Sequence, residues 1–198
     1  MKNFTEEMTL NNYSAIHDIF YSGNVTFAGE KQVISDILFL LKEKYLTIEK
    51  CPIASKEKYF ECVSEVESAS ADAILADGGG TAHVALKLLS GLYLKKSENL
   101  EVVYEQKFCG YVPDVLSADK KIVIECGHTQ NPEKIFAYFR HGNVQECIQI
   151  PYPNENEKII FGYKLRPSAL FNEFYDFWES KRHSGVKSLI VNRANTNT

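Results

Sequence analysis

No Cys-x-x-Cys pair occurs in this chain, and its five cysteines, at 51, 62, 109, 126 and 147, are odd in number. A closed disulfide framework and a structural zinc site are both unexpected, and a reducing, cytoplasmic setting fits the thiols best. No apolar run approaches the length that a bilayer-spanning helix needs, so no membrane partner is expected. Met1 to Leu10 is mostly polar and carries two glutamates, unlike a secretory signal. Positive charge is not in excess either. The formal net charge of −4 counts against a strong, sequence-independent grip on nucleic acid. A nuclease with its cations on one face stays compatible, because Lys158, Lys164, Arg166, Lys181, Arg182 and Lys187 make the C-terminal third locally basic. Internal repeats and low-complexity tracts are absent.

What is there suits a globular α/β protein. The 198 residues are 44% hydrophobic and 24% charged, enough to bury a sizeable core. Ile34, Ile37, Leu38, Leu41 and Tyr45 fall on one stripe and predict an amphipathic helix over 30–45, which also offers a surface for a homodimer. Leu46–Ile53 and Tyr59–Val66 read as strands, and Ser68–Ala76 as either helix or strand. Asp77-Gly78-Gly79-Gly80 then breaks the chain. Residues 1–77 are expected to form an N-terminal extension, 78–191 a core with a C-terminal strand and helix, and 192–198 a disordered tail.

Within the core, Thr81 is placed to cap a helix running to about Lys96, with Ala85, Leu88, Leu89 and Leu92 on one face. Leu100–Phe108 alternates as a strand. Asn131-Pro132 opens a second helix, with Pro in the first turn and Glu133 near the positive end of the dipole. Val144–Ile150 and Lys158–Leu165 are strands, and Pro167-Ser168 opens a last helix with Phe171, Phe174, Tyr175 and Trp178 as an aromatic stripe.

Between these elements, Gly110–Val115 and Lys121–Gly127 read as a β-hairpin turning at Ser117–Lys120. Such a turn sets Asp114 opposite Val123. Asp114 and Glu125 then become diagonal neighbours on one face, with Cβ atoms roughly 7–8 Å apart. Two acids among apolar residues are costly unless a cation lies between them, so a divalent metal is the first expectation. The alternative is an edge hairpin with two solvated acids; the apolar run Ile122-Val123-Ile124 argues for a buried strand instead.

The order helix, strand, strand, strand, helix, strand over residues 81–150, with Pro113-Asp114 on one strand and Glu125 on the next, resembles the PD-(D/E)xK nuclease superfamily. The likeness covers roughly the central third of the chain. It implies an α/β fold: a central mixed sheet flanked by helices, with an αβββαβ restriction-endonuclease-like core. It also implies a Mg²⁺ (or Mn²⁺) site made by Asp114, Glu125 and the main-chain carbonyl of Cys126, acting on phosphodiester bonds of DNA.

The pattern wants a lysine two residues after the glutamate, where this chain has Gly127. Candidate replacements are Lys107, Lys87 and His128. Thr81–Lys87 also resembles the helix of competence-protein-like members that carry His-x-x-x-Lys. His83 and Lys87 share a helix face, and both are taken as catalytic cations.

Plainer readings exist for each: a solvated helix face for His83 and Lys87, a backbone cap for His128, and a surface strand for Glu105. Cys126 beside His128 suggests a thiol with its base, although cysteine is more often a small buried hydrophobe. Gly78-Gly79-Gly80 lacks a following Gly-Lys-Ser/Thr and reads as a hinge rather than a phosphate cradle. Three readings follow: a metal-dependent nuclease acting on DNA; a catalytically inactive nuclease-like domain that binds nucleic acid or a protein partner; or an unrelated α/β protein whose hairpin merely imitates the motif, which Asp114 and Glu125 on opposite sheet faces would support. The second is motivated by Gly127 and the acidic net charge.

Overall fold

The computed structural model describes residues 37–68, 79–128 and 133–182, with the backbone alone at 178, 179, 181 and 182. The expectations for residues 1–36, most of Ser68–Ala76, the Asn131-Pro132 helix start, the side chain of Trp178 and the 192–198 tail lie outside the described residues.

Residues 37–42 are helical, so the helix expected over 30–45 stops short of Tyr45. There follow β1 (Leu46–Ser55), α1 (Lys56–Ser68), α2 (Thr81–Ser97), β2 (Val102–Tyr104), β3 (Val115–Ser117), β4 (Ile122–Cys126), α3 (Glu133–Gly142), β5 (Glu146–Ile150), β6 (Ile159–Pro167) and α4 (Phe171–Arg182). The six strands form one mixed sheet in the order β1-β6-β5-β4-β3-β2. Only β4 and β5 pair in parallel, with α3 as the crossover between them. This is an α/β fold whose segment from α2 to β5 has the αβββαβ order of a restriction-endonuclease-like core.

Strand alternation sends side chains to two cores. Leu116, Val123, Cys147 and Leu165 meet Ile135, Phe136 and Phe139 of α3 and Phe171, Phe174 and Tyr175 of α4 on one face. Val115, Ile124, Ile148 and Ile160 meet Ala85, Leu86 and Leu89 of α2 with Tyr59 and Cys62 of α1 on the other. A sheet covered on both faces explains why β5, Glu-Cys-Ile-Gln-Ile, is buried along its whole length.

Several local expectations are corrected. Residues 59–66 are helical rather than extended. The Lys58 N–H donates to Ser55 Oγ (3.3 Å), capping α1, and Tyr59 and Cys62, three apart, are its buried stripe. Gly80, not Thr81, caps α2, and no side chain helps it. The strand expected over Leu100–Phe108 ends at Tyr104, because Glu105 turns into the left-handed region (φ 49°). The last helix begins at Phe171 rather than Pro167, which closes β6.

The hairpin register is the correction with consequences. The connection is four residues, Ala118–Lys121, with Lys120 left-handed (φ 59°). Ser117 Oγ donates to Asp119 Oδ1 (2.6 Å) and accepts from Ile122 N–H (2.9 Å), and these bonds fix the longer turn. Val123 therefore pairs with Leu116 and Ile124 with Val115, a shift of two residues from the expected register. Asp114 falls before the first residue of β3 instead of facing Val123.

Candidate functional site

Asp114 has left strand geometry, and its carboxylate reaches α2. Its Oδ1 lies 3.2 Å from His83 Nε2 and 3.3 Å from Lys87 Nζ, and its Oδ2 accepts the Cys126 N–H at 2.7 Å. Lys87 also donates to Glu105, at the turn out of β2. The α2 spacing explains the meeting: His83 and Lys87, four apart, stack on one face and both reach the same acid. Burial pushes the Asp114 carboxyl up, but His83, the Cys126 N–H and Lys87 together outweigh it and hold it below its ordinary value. An ionised carboxylate only accepts, so the His83 proton is assigned to Nε2. In the neutral ring, Nδ1 then accepts from the Tyr152 hydroxyl at 3.3 Å.

Glu125 turns the other way, to α3. Lys134 Nζ is 2.5 Å from Oε2, and the Tyr138 hydroxyl donates to Oε1 at 3.0 Å. The residue is 3% exposed. Burial pushes its carboxyl up to about 7; the Asp114 charge adds to this, while Lys134 and Tyr138 oppose it. Tyr138 is itself fixed by Phe108, stacked at 5.9 Å, and Tyr111, edge-on at 6.1 Å, both from the β2–β3 connection.

The two carboxylates thus turn to opposite sides of the sheet, Asp114 to α2 and Glu125 to α3, rather than lying as diagonal neighbours on one face. Of the residues singled out from sequence, His83, Lys87, Glu105 and Asp114 form one cluster, and Cys126 joins it through its N–H. Lys107 is exposed on the β2–β3 connection. His128 meets the Tyr152 ring edge-on (5.7 Å, 69°). Burial raises the Cys126 thiol well above its ordinary value, and its sulfur sits 3.4 Å from Ser90 Oγ, so it is no nucleophile.

Lys134 and Tyr138 escaped the sequence reading. Lys134 lies nine positions past Glu125, in the first turn of the next helix, where a short motif has no reach.

The structure also explains Gly127. Its φ is +78°, and a Cβ there would lie 2.7 Å from the Tyr152 ring. A lysine there is disfavoured twice over, by backbone conformation and by contact. We expect Gly127→Lys to lower stability by about 1–3 kcal/mol in urea unfolding, without improving any catalytic activity. An unchanged unfolding midpoint would refute the steric account.

Carboxylate and main-chain carbonyl oxygens are the ligand class Mg²⁺ selects, so the donors fit in kind. In this arrangement each carboxylate oxygen already has a protein donor, and among the described residues no group of three or more His, Cys, Asp or Glu side chains is gathered to hold a metal ion. Among the described residues, no helix is long and apolar enough to cross a membrane. No family model, curated protein or solved structure matches the chain.

Proposed function

We propose that the chain is a Mg²⁺-dependent nuclease of PD-(D/E)xK type that hydrolyses phosphodiester bonds of DNA in a reducing cytoplasm. The observation that carries this reading is Lys134 on Glu125. An ammonium stands at the glutamate that should have a motif lysine, delivered by α3 where the backbone and Tyr152 disfavour a lysine at Gly127. Asp114, Glu125 and the Cys126 carbonyl would hold the metal, which when bound acidifies a water and polarises the phosphate.

The chain's own residues do the rest. Lys134 shields Glu125 and lies at hand for charge that develops on a phosphoryl oxygen. His83 offers a proton site that is already oriented, with Asp114 fixing one ring nitrogen and Tyr152 the other. Lys87 bridges Asp114 and Glu105, which holds the two carboxylates in one place against their mutual repulsion.

The test is cleavage of plasmid and single-stranded DNA in Mg²⁺ or Mn²⁺. Asp114→Asn, Glu125→Gln and Lys134→Met should each slow cleavage by about 100-fold or more. Activity that survives both acid substitutions would overturn the assignment.

One observation favours a second reading, a nuclease-like domain that binds without cutting. All four carboxylate oxygens are satisfied by His83, Lys87, the Cys126 N–H, Lys134 and Tyr138, so the site is closed in charge without a metal. Calorimetric titration separates the two: Mn²⁺ binding that disappears in Glu125→Gln supports the nuclease.

A further inference from the structure

Tyr152 stands between the Asp114 cluster and a shallow pocket lined also by His128, Pro151, Asn154, Glu157 and Phe161. We propose that this pocket seats one unpaired nucleobase of single-stranded DNA, stacked against Tyr152, and so presents the adjoining phosphodiester to His83 and Asp114. The inference supplies a substrate class for the nuclease proposed above and rests on that reading for its catalytic half.

Three features point to a base rather than another ligand. Tyr152 is 39% exposed, yet its side chain is held on several sides. Its hydroxyl bonds His83, its edge meets His128, and its ring packs where Gly127 leaves out a side chain. A fixed, partly exposed aromatic ring is a stacking platform that loses little freedom on binding.

The charges are also sorted. The Glu157 carboxylate lines the pocket and accepts the Asn154 N–H at 3.1 Å, so a phosphate inside would be repelled. The cations stand at the margin instead. Lys50 lies 4.3 Å from the Phe161 ring centroid, and Lys56 donates to the Asn154 carbonyl at 2.9 Å. Base inside and phosphates outside is the arrangement this distribution selects.

Continuity is the third feature. Asp114, His83 and Tyr152 form an unbroken chain of contacts at 3.2 and 3.3 Å from the acid to the pocket wall. Phe60, 53% exposed with Lys56 near its ring, extends the aromatic and basic surface beyond it. A base inside a duplex reaches such a pocket only by unpairing, which selects single strands.

The experiment measures binding of the full chain to a fluorescent single-stranded oligodeoxynucleotide and to its blunt duplex, by anisotropy in EDTA so that nothing is cut. We expect the single strand to bind about tenfold tighter or more. Tyr152→Leu should weaken that binding by about tenfold, whereas Tyr152→Phe, which keeps the ring, should stay within about twofold. Circular dichroism of both variants confirms that they fold. Equal affinity for single strand and duplex, or wild-type affinity in folded Tyr152→Leu, would overturn the pocket. Single-strand preference without any metal-dependent cleavage would overturn the nuclease reading and leave the pocket standing.

Discussion

Replacing Lys87 by methionine should cost about 3–5 kcal/mol of folding stability, the range found when one partner of a buried ion pair is removed. Lys87 is 1% exposed, and its ammonium answers two carboxylates, Glu105 and Asp114, on different sides of the β2–β3 connection. Burial alone would lower its pKa, yet the bond it donates to Glu105 and the charge of Asp114 raise it above the ordinary value. Methionine fills most of the space and supplies none of the charge, so two acids are left facing each other across the turn. Urea unfolding of Lys87→Met near neutral pH gives the number, and adding Glu105→Gln should recover part of the loss. A solvated His-x-x-x-Lys face predicts a cost of at most about 1 kcal/mol. A measured loss that small would show that the cluster is a surface feature.

Glu125 carries the second large effect, through pH. Its ordinary value is 4.5 and its folded value is about 7, so between these limits the folded protein holds a proton that the unfolded chain has released. A raised folded pKa stabilises most fully below the unfolded value. That contribution is lost as pH rises to the folded value, because unfolding releases a proton throughout this window; above it neither state holds the proton and the loss is complete. The difference, 7 minus 4.5, is about 2.5 pH units, or about 3 kcal/mol at 1.36 kcal/mol per unit.

The groups that act on this carboxyl are Lys134 and Tyr138 from α3, Asp114 just before β3 and Cys147 on β5. We expect stability to fall between pH 4.5 and 7 in the wild type, and this fall to be flattened in Glu125→Gln. Mg²⁺ should restore stability at the alkaline end if the two acids bind it. Parallel pH profiles of wild type and Glu125→Gln would show that the carboxyl titrates normally.

Much of the core was legible in the sequence because burial leaves periodic marks. The α2 stripe of Ala85 and Leu89 and the apolar run of β4 gave the order of elements directly. What was not legible depended on turn chemistry and on residues remote in sequence. One hydroxyl, Ser117 Oγ, sets a four-residue connection and moves the hairpin register by two. A single cap, Ser55, and two buried residues three apart make a helix where Tyr59–Val66 reads as a strand.

The cations of the site divide in the same way. His83 and Lys87 could be found because helical spacing puts them on one face. Lys134 could not, because its meeting with Glu125 depends on where α3 lies after the crossover. Gly127 read as a missing lysine; in the structure it is the floor beneath Tyr152.

The parallel pairing of β4 and β5 has a consequence for how the site assembles in time. Because α3 is the crossover between those strands, Glu125 and Tyr138 are only 13 residues apart, whereas Asp114 and His83 are 31 apart. The difference in loop-closure entropy is under about 1 kcal/mol, so both halves are accessible to the folding chain. They differ in what must already be in place. The Glu125 half needs one crossover unit, while the Asp114 half needs α2 docked and the long β2–β3 connection closed. One acid is therefore clamped by local folding, and the other waits for the sheet edge to be complete.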